Sequence, residues 1–83
     1  VVRRHFPGRD IVKVLSKHNY TFVGREGSHV RMRWDPPGEH NSKVRLVSIP
    51  VGHEVGGNTL RNIADKCGAE DFDSFCRWIN RNS

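Results

Sequence analysis

The chain has 83 residues, with 14 Lys and Arg against 9 Asp and Glu, for a formal charge of +5. A chain this short buries only roughly 60% of the surface its unfolded form exposes, which excludes a deep active site beside a separate cofactor domain. No apolar run nears the roughly 18 residues of a membrane span and no signal peptide is visible, so the expectation is one cytoplasmic domain over residues 1–83.

The charge is uneven. Residues 1–49 carry 10 basic and 4 acidic side chains, whereas residues 50–83 carry 4 and 5. A basic front half points to a polyanionic partner, either nucleic acid or an acidic protein. Cys67 and Cys76 lack C-x-x-C spacing and fall on apolar helical positions, so they read as buried thiols, with one disulfide left open. Neither a metal nor a cofactor is expected.

After a basic lead-in, "FPGRDIVKVLSKHNY" places Ile11, Val14, Leu15 and His18 at helical spacing, and Asp10 comes early, as the helix dipole favours. This predicts a helix over 9–17. "YTFVGR" reads as a strand, "EGS" as a turn, and "HVRMRW" as a second strand with period-two alternation. "DPPGEHNS" is a loop, and "KVRLVSIP" is a third strand stopped by Pro50. In that strand Val47 and Ile49 share the parity of Lys43 and Arg45, while Val44 and Leu46 take the other. A bulge near 46–47 would reconcile the two patterns, and the outward face stays undetermined.

"VGHEVGGN" is a glycine-rich connection into the helix "TLRNIADKC", with Leu60, Ile63, Ala64 and Cys67 on one face. Asn58 or Thr59 can cap its start and Gly68 its end. A last helix in "EDFDSFCRWINRN" aligns Phe72, Phe75, Cys76 and Ile79, with acids first and Arg77 and Arg81 last. The order α-β-β-β-α-α implies a two-layer α+β fold, with a three-stranded antiparallel meander whose second strand is central.

Side chains alternate across a strand, so His29, Arg31 and Arg33 share one face, and Val30, Met32 and Trp34 the other. The apolar trio must face the helices. The meander brings the end of the third strand, near Ser48 and Ile49, beside His29. Next come the His53 loop and the N-terminus of the helix starting near Thr59, where unpaired N–H groups can seat a phosphate. RNA cleavage needs a base for the 2′-hydroxyl proton, an acid for the leaving oxygen and cations for the phosphorane. His29 suits base or acid, and Arg31 or Arg33 suits the charge role. An exposed, merely solvated histidine fits the same pattern. His5, His18 and His40 have no partner at ligand spacing.

The order of motifs resembles the HicA (YcfA-like) toxins over nearly the whole chain. "GRDIVKVLSKHNY" is similar to that family's first helix and aromatic turn, and "REGSHV" to its R-x-x-G-S-H hairpin. "VSIPV" is similar to its V-x-V-P strand end, and "NTLRNIADKCGA" to its G-T-L-R helix. The resemblance implies a double-stranded-RNA-binding-domain-like fold with an extra C-terminal helix, and an mRNA interferase neutralised by a HicB-type antitoxin. It makes His29 catalytic, and the chain's own basic and polar residues around it, Arg25, Ser28, Arg31, Arg33, Lys43, Arg45, His53 and Thr59, stand as RNA-binding candidates. It departs from the family at Val30, where a second histidine is frequent, and at Asn58, where glycine precedes T-L-R. The loop histidine is displaced by one residue to His53. Two other readings stay open: a non-catalytic RNA-binding module on the same fold, and a protein-interaction domain whose basic face docks an acidic partner.

Overall fold

The alternation in residues 29–34 becomes the middle strand of a sheet in the computed structural model, which describes residues 2–34 and 44–83. The element order is β1 (His5–Pro7), α1 (Gly8–Lys17), β2 (Tyr20–Glu26), β3 (His29–Trp34), β4 (Arg45–Pro50), β5 (Glu54–Gly56), α2 (Gly57–Lys66) and α3 (Phe72–Asn82). Strands β2, β3 and β4 form an antiparallel sheet in that spatial order. The predicted α+β meander with a central second strand is therefore the observed one.

Parity decides what the sheet buries. Val30 and Met32 of β3, with Val47 and Ile49 of β4, sit on the covered face. Ile11, Val14 and Leu15 of α1 and Leu60, Ile63 and Ala64 of α2 meet them in one apolar cluster. Phe75, Cys76 and Ile79 of α3 join the same cluster, and α3 rests on α1 and α2. Burying each Val, Leu, Ile, Phe or Met of this cluster contributes about 1.5–3 kcal/mol, which is what holds the helices to the sheet. Both cysteines are free thiols; Cys76 is buried, and burial also pushes the Cys67 thiol up. Among the described residues no helix is long and apolar enough to cross a membrane.

Three features differ from the sequence reading. First, β1 and β5 pair as a small antiparallel ladder in which Phe6 lies opposite Val55, both buried. Strands of three residues are too short to show a period, so the lead-in and the glycine-rich connection looked irregular. Second, the bulge lies in β2, not β4: the register with β3 shifts between Phe22 and Gly24. A glycine inside a strand marks such a site, whereas β4 keeps a regular register. Third, α2 begins at Gly57, with Gly56 as N-cap and no side-chain cap, so neither Asn58 nor Thr59 serves that role. By contrast α3 is capped conventionally. The Asp71 carboxylate accepts from the Ser74 backbone N–H at 3.1 Å and from its hydroxyl at 2.7 Å, and these bonds hold its pKa below the usual range. Arg4 ties the lead-in to α3 through Asp73, with Nε donating to Oδ1 at 2.9 Å.

The start of α1 lies against backbone. A methyl group on Gly8 would overlap the Pro50 carbonyl oxygen and come within 2.8 Å of Val51 Cα. The Gly8 N–H also donates to the His53 carbonyl at 3.2 Å. Backbone cannot yield as a flexible side chain can, so Gly8→Ala is expected to destabilise the fold by at least about 2 kcal/mol in denaturant unfolding. A loss within about 0.5 kcal/mol, the usual range for surface substitutions, would contradict this close approach.

Candidate functional site

The hairpin that presents His29 is set by its turn. Gly27 adopts φ 62°, a conformation that suits glycine in a tight hairpin, and Glu26 pairs directly with His29. On its other side His29 pairs with Pro50, and the Val51 N–H donates to the Ser28 carbonyl at 2.7 Å. The histidine is thus the first residue of a central strand, with its backbone held on both flanks and its side chain exposed.

Along the same face come Arg31, opposite Gly24 and Ser48, and Arg33, opposite Thr21 and Leu46. Both are exposed. Strand β4 is an edge, and α2 lies beside it. Between them runs a groove of about 400 Å³ lined by His29, Arg31, Leu46 and Ser48 from the sheet, and by Thr59, Asn62 and Lys66 from α2. Positions 59, 62, 63 and 66 are one helical stripe, so α2 offers a hydroxyl, an amide and an ammonium along a single line. Thr59 lies in the first turn of α2, a turn without acidic residues, where the helix dipole is positive. The groove therefore combines an exposed imidazole, two cations, and the positive end of a helix.

The structure sorts the candidates predicted from the sequence. It brings together His29, Arg31 and Thr59 in the groove; Arg33 lies further along the same face, and Ser28 is in the adjoining turn. It separates the others. Arg25 pairs with Val30, on the opposite side of the sheet, and its Nε donates to the Gly27 carbonyl at 2.9 Å. Arg45 is separated as well. It shares the covered face with Val47 and Ile49, where its guanidinium lies 4.6 Å from the Trp34 ring centroid and donates to the Cys67 carbonyl at 2.6 Å. Cys67 is the C-cap of α2, so the cation serves the negative end of that helix rather than the His29 face. His53 lines a different hollow, with Arg9 and Glu54, not the groove of His29. Lys43 and His40 lie outside the described residues.

Lys66 and Asn62 were not singled out from the sequence. The signal was available in "TLRNIADK": once Leu60, Ile63 and Ala64 are assigned to the core, positions 59, 62 and 66 flank that apolar stripe.

The groove's order along the chain, a G-S-H hairpin before a proline-ended strand and a T-L-R helix, agrees with a family model. The model described as "HicA toxin of bacterial toxin-antitoxin" matches residues 8–69. The chain belongs to the HicA toxin family. Neither a curated protein nor a solved structure matches the chain significantly. Family membership makes this HicA chain the toxin of a toxin–antitoxin pair, with an antitoxin as partner. The match spans α1 through α2 and includes every groove residue, whereas α3 lies beyond it and contributes core side chains.

A single-stranded polyanion is expected to lie along Arg31 and Lys66 of the groove. Replacing Arg31 or Lys66 by Gln should each flatten the slope of log affinity against log salt by about 0.7. Arg25→Gln should leave that slope unchanged. Equal slopes for all three variants, measured by fluorescence anisotropy, would place the polyanion elsewhere.

Proposed function

We propose that this HicA protein is a ribosome-independent mRNA interferase acting in the cytoplasm, with His29 as its catalytic residue. The observation that carries the reading is the shared groove: an exposed imidazole and Arg31 on one wall, the first turn of α2 and Lys66 on the other. Phosphodiester cleavage in RNA needs no external nucleophile, because the 2′-hydroxyl lies next to the scissile phosphorus. The neutral imidazole of His29 takes the 2′-hydroxyl proton as the 2′-oxygen bonds to phosphorus. The bond to the 5′-oxygen then breaks; that oxygen takes a proton from solvent water, and the His29 imidazolium gives its proton to the hydroxide left behind. Products are a 2′,3′-cyclic phosphate and a free 5′-hydroxyl. Arg31 and Lys66 offset the charge on the phosphorane oxygens, Arg33 holds the flanking backbone, and the helix end adds N–H donors near Thr59.

One histidine on an open surface makes a modest catalyst, since positioned proton transfer contributes roughly 10²–10⁴ in rate. The same openness suits inhibition by occlusion. A HicB-type antitoxin carrying acidic or apolar side chains into the groove would displace RNA without any rearrangement of the toxin.

The test is His29→Ala beside the wild type, following growth and mRNA integrity in cells and RNA affinity in solution. Cleavage should fall by at least about 10²-fold and growth arrest should be relieved, while affinity stays within about twofold. Unchanged cleavage would sink the assignment of His29. Salt-sensitive RNA binding with no product from either protein would favour a non-catalytic RNA-binding module on this fold.

A further inference from the structure

A second hollow, of about 500 Å³, lies on the helix side of the sheet. Its walls are aromatic. Tyr20 and Trp34 are directly paired across β2 and β3, and Phe75 and Trp78 come from α3. Arg45 sits over the Trp34 ring while its Nη1 donates to the Cys67 carbonyl, which puts a cation on the indole wall of the hollow. Glu70, Asp71 and Ser74 add acceptors and a hydroxyl to the same hollow. His18 sits with its ring centroid 4.7 Å from that of Trp78. Its Nε2 is buried with no hydrogen-bond partner, alone in this among the side-chain nitrogens and oxygens of the described residues.

Aromatic side chains that only fill a core close over one another. Here both tryptophans of the chain border open volume, beside a forked donor and two carboxylates. Flat walls with donors and acceptors at their edges suit a planar heterocycle that carries its own donors and acceptors. Unpaired RNA bases are held in this way, stacked on aromatic rings or guanidinium planes. The location is compatible as well. Trp34 is at the far end of β3 from His29, roughly 17 Å away along the strand. An RNA strand running along the exposed face of β3 therefore arrives at the end of the sheet where this hollow opens.

We propose that the hollow takes one unpaired nucleobase of the RNA whose backbone lies in the His29 groove, a few nucleotides from the scissile phosphate, and that this contact sets sequence preference. The proposal rests on the RNA-cleaving reading above. It gives Arg45 a recognition role distinct from phosphate binding, on the opposite face from Arg31.

Because the chain's two tryptophans both line the hollow, intrinsic fluorescence reports its occupancy. The experiment uses the whole chain carrying His29→Ala, so that RNA stays intact. It is titrated with four homopolymeric single-stranded oligoribonucleotides and with an abasic strand of equal length. At least one homopolymer should shift tryptophan emission, while the abasic strand binds without a shift. Arg45→Lys, which keeps the charge and removes the plane, should weaken that homopolymer about tenfold and leave abasic affinity unchanged. Trp78→Leu should do the same, read by anisotropy of labelled RNA after circular dichroism confirms folding. RNA binding without any emission shift, and equal to abasic binding, would overturn the base site while leaving the groove's RNA reading standing. Failure to bind RNA at all would overturn both. An emission shift with the antitoxin but none with RNA would overturn the proposal in favour of a protein partner.

Discussion

The backbone at Pro50–Val51 is the constraint on which the rest of the molecule depends. The N-terminus of α1 approaches it so closely that only a glycine fits at position 8. From the sheet, the Val51 N–H holds the Ser28 carbonyl, and Pro50 pairs with His29. A helix start, a hairpin turn and a strand end are thus locked at one point, and His29 projects from it. The position of the imidazole is set by main-chain contacts, which place it without using its own side-chain atoms. That leaves the ring available to a substrate.

The sheet divides the basic residues by parity, and the division separates their work. Arg31 and Arg33 point away from the helices and meet solvent, with Lys66 joining Arg31 across the β4 edge. Arg45, only one strand away, points inward, where a lone guanidinium would be costly to bury. It is accommodated because Trp34 supplies a ring face and the C-terminus of α2 supplies a carbonyl. Net charge alone is silent on this difference. Arginines adjacent in the sheet therefore serve two faces, one open to solvent and the other set on the Trp34 ring.

Much of this was legible in the sequence because period two is unambiguous over six residues. The clean alternation of 29–34 assigned His29, Arg31 and Arg33 to one face, and the apolar spacing of 11–15, 60–64 and 75–79 assigned the helices. The third strand was harder, since its charged and apolar residues share a parity. Sequence reasoning offered a bulge in that strand and left its outward face undetermined. The chain instead keeps β4 regular and half-buries Arg45 on the helix side, because the Trp34 indole and the end of α2 accommodate it there. Such compensation comes from residues far apart in sequence and leaves no local pattern. The same holds for β1 and β5, whose pairing joins residues some fifty positions apart. His53 was placed with His29 by topology, yet it lines a separate hollow with Arg9 and Glu54. Loop direction depends on individual dihedral angles, which composition does not encode.

The central claim is that His29 acts on the 2′-hydroxyl next to the scissile phosphate. The most direct measurement is cleavage of one short RNA by the wild-type chain, beside the same strand with a single 2′-deoxy substitution at the cleaved nucleotide. The account predicts a 2′,3′-cyclic phosphate end from the RNA, and no cut at the substituted position despite undiminished binding. Cleavage of the substituted strand at an equal rate would contradict it, because the attacking oxygen would then have to come from water.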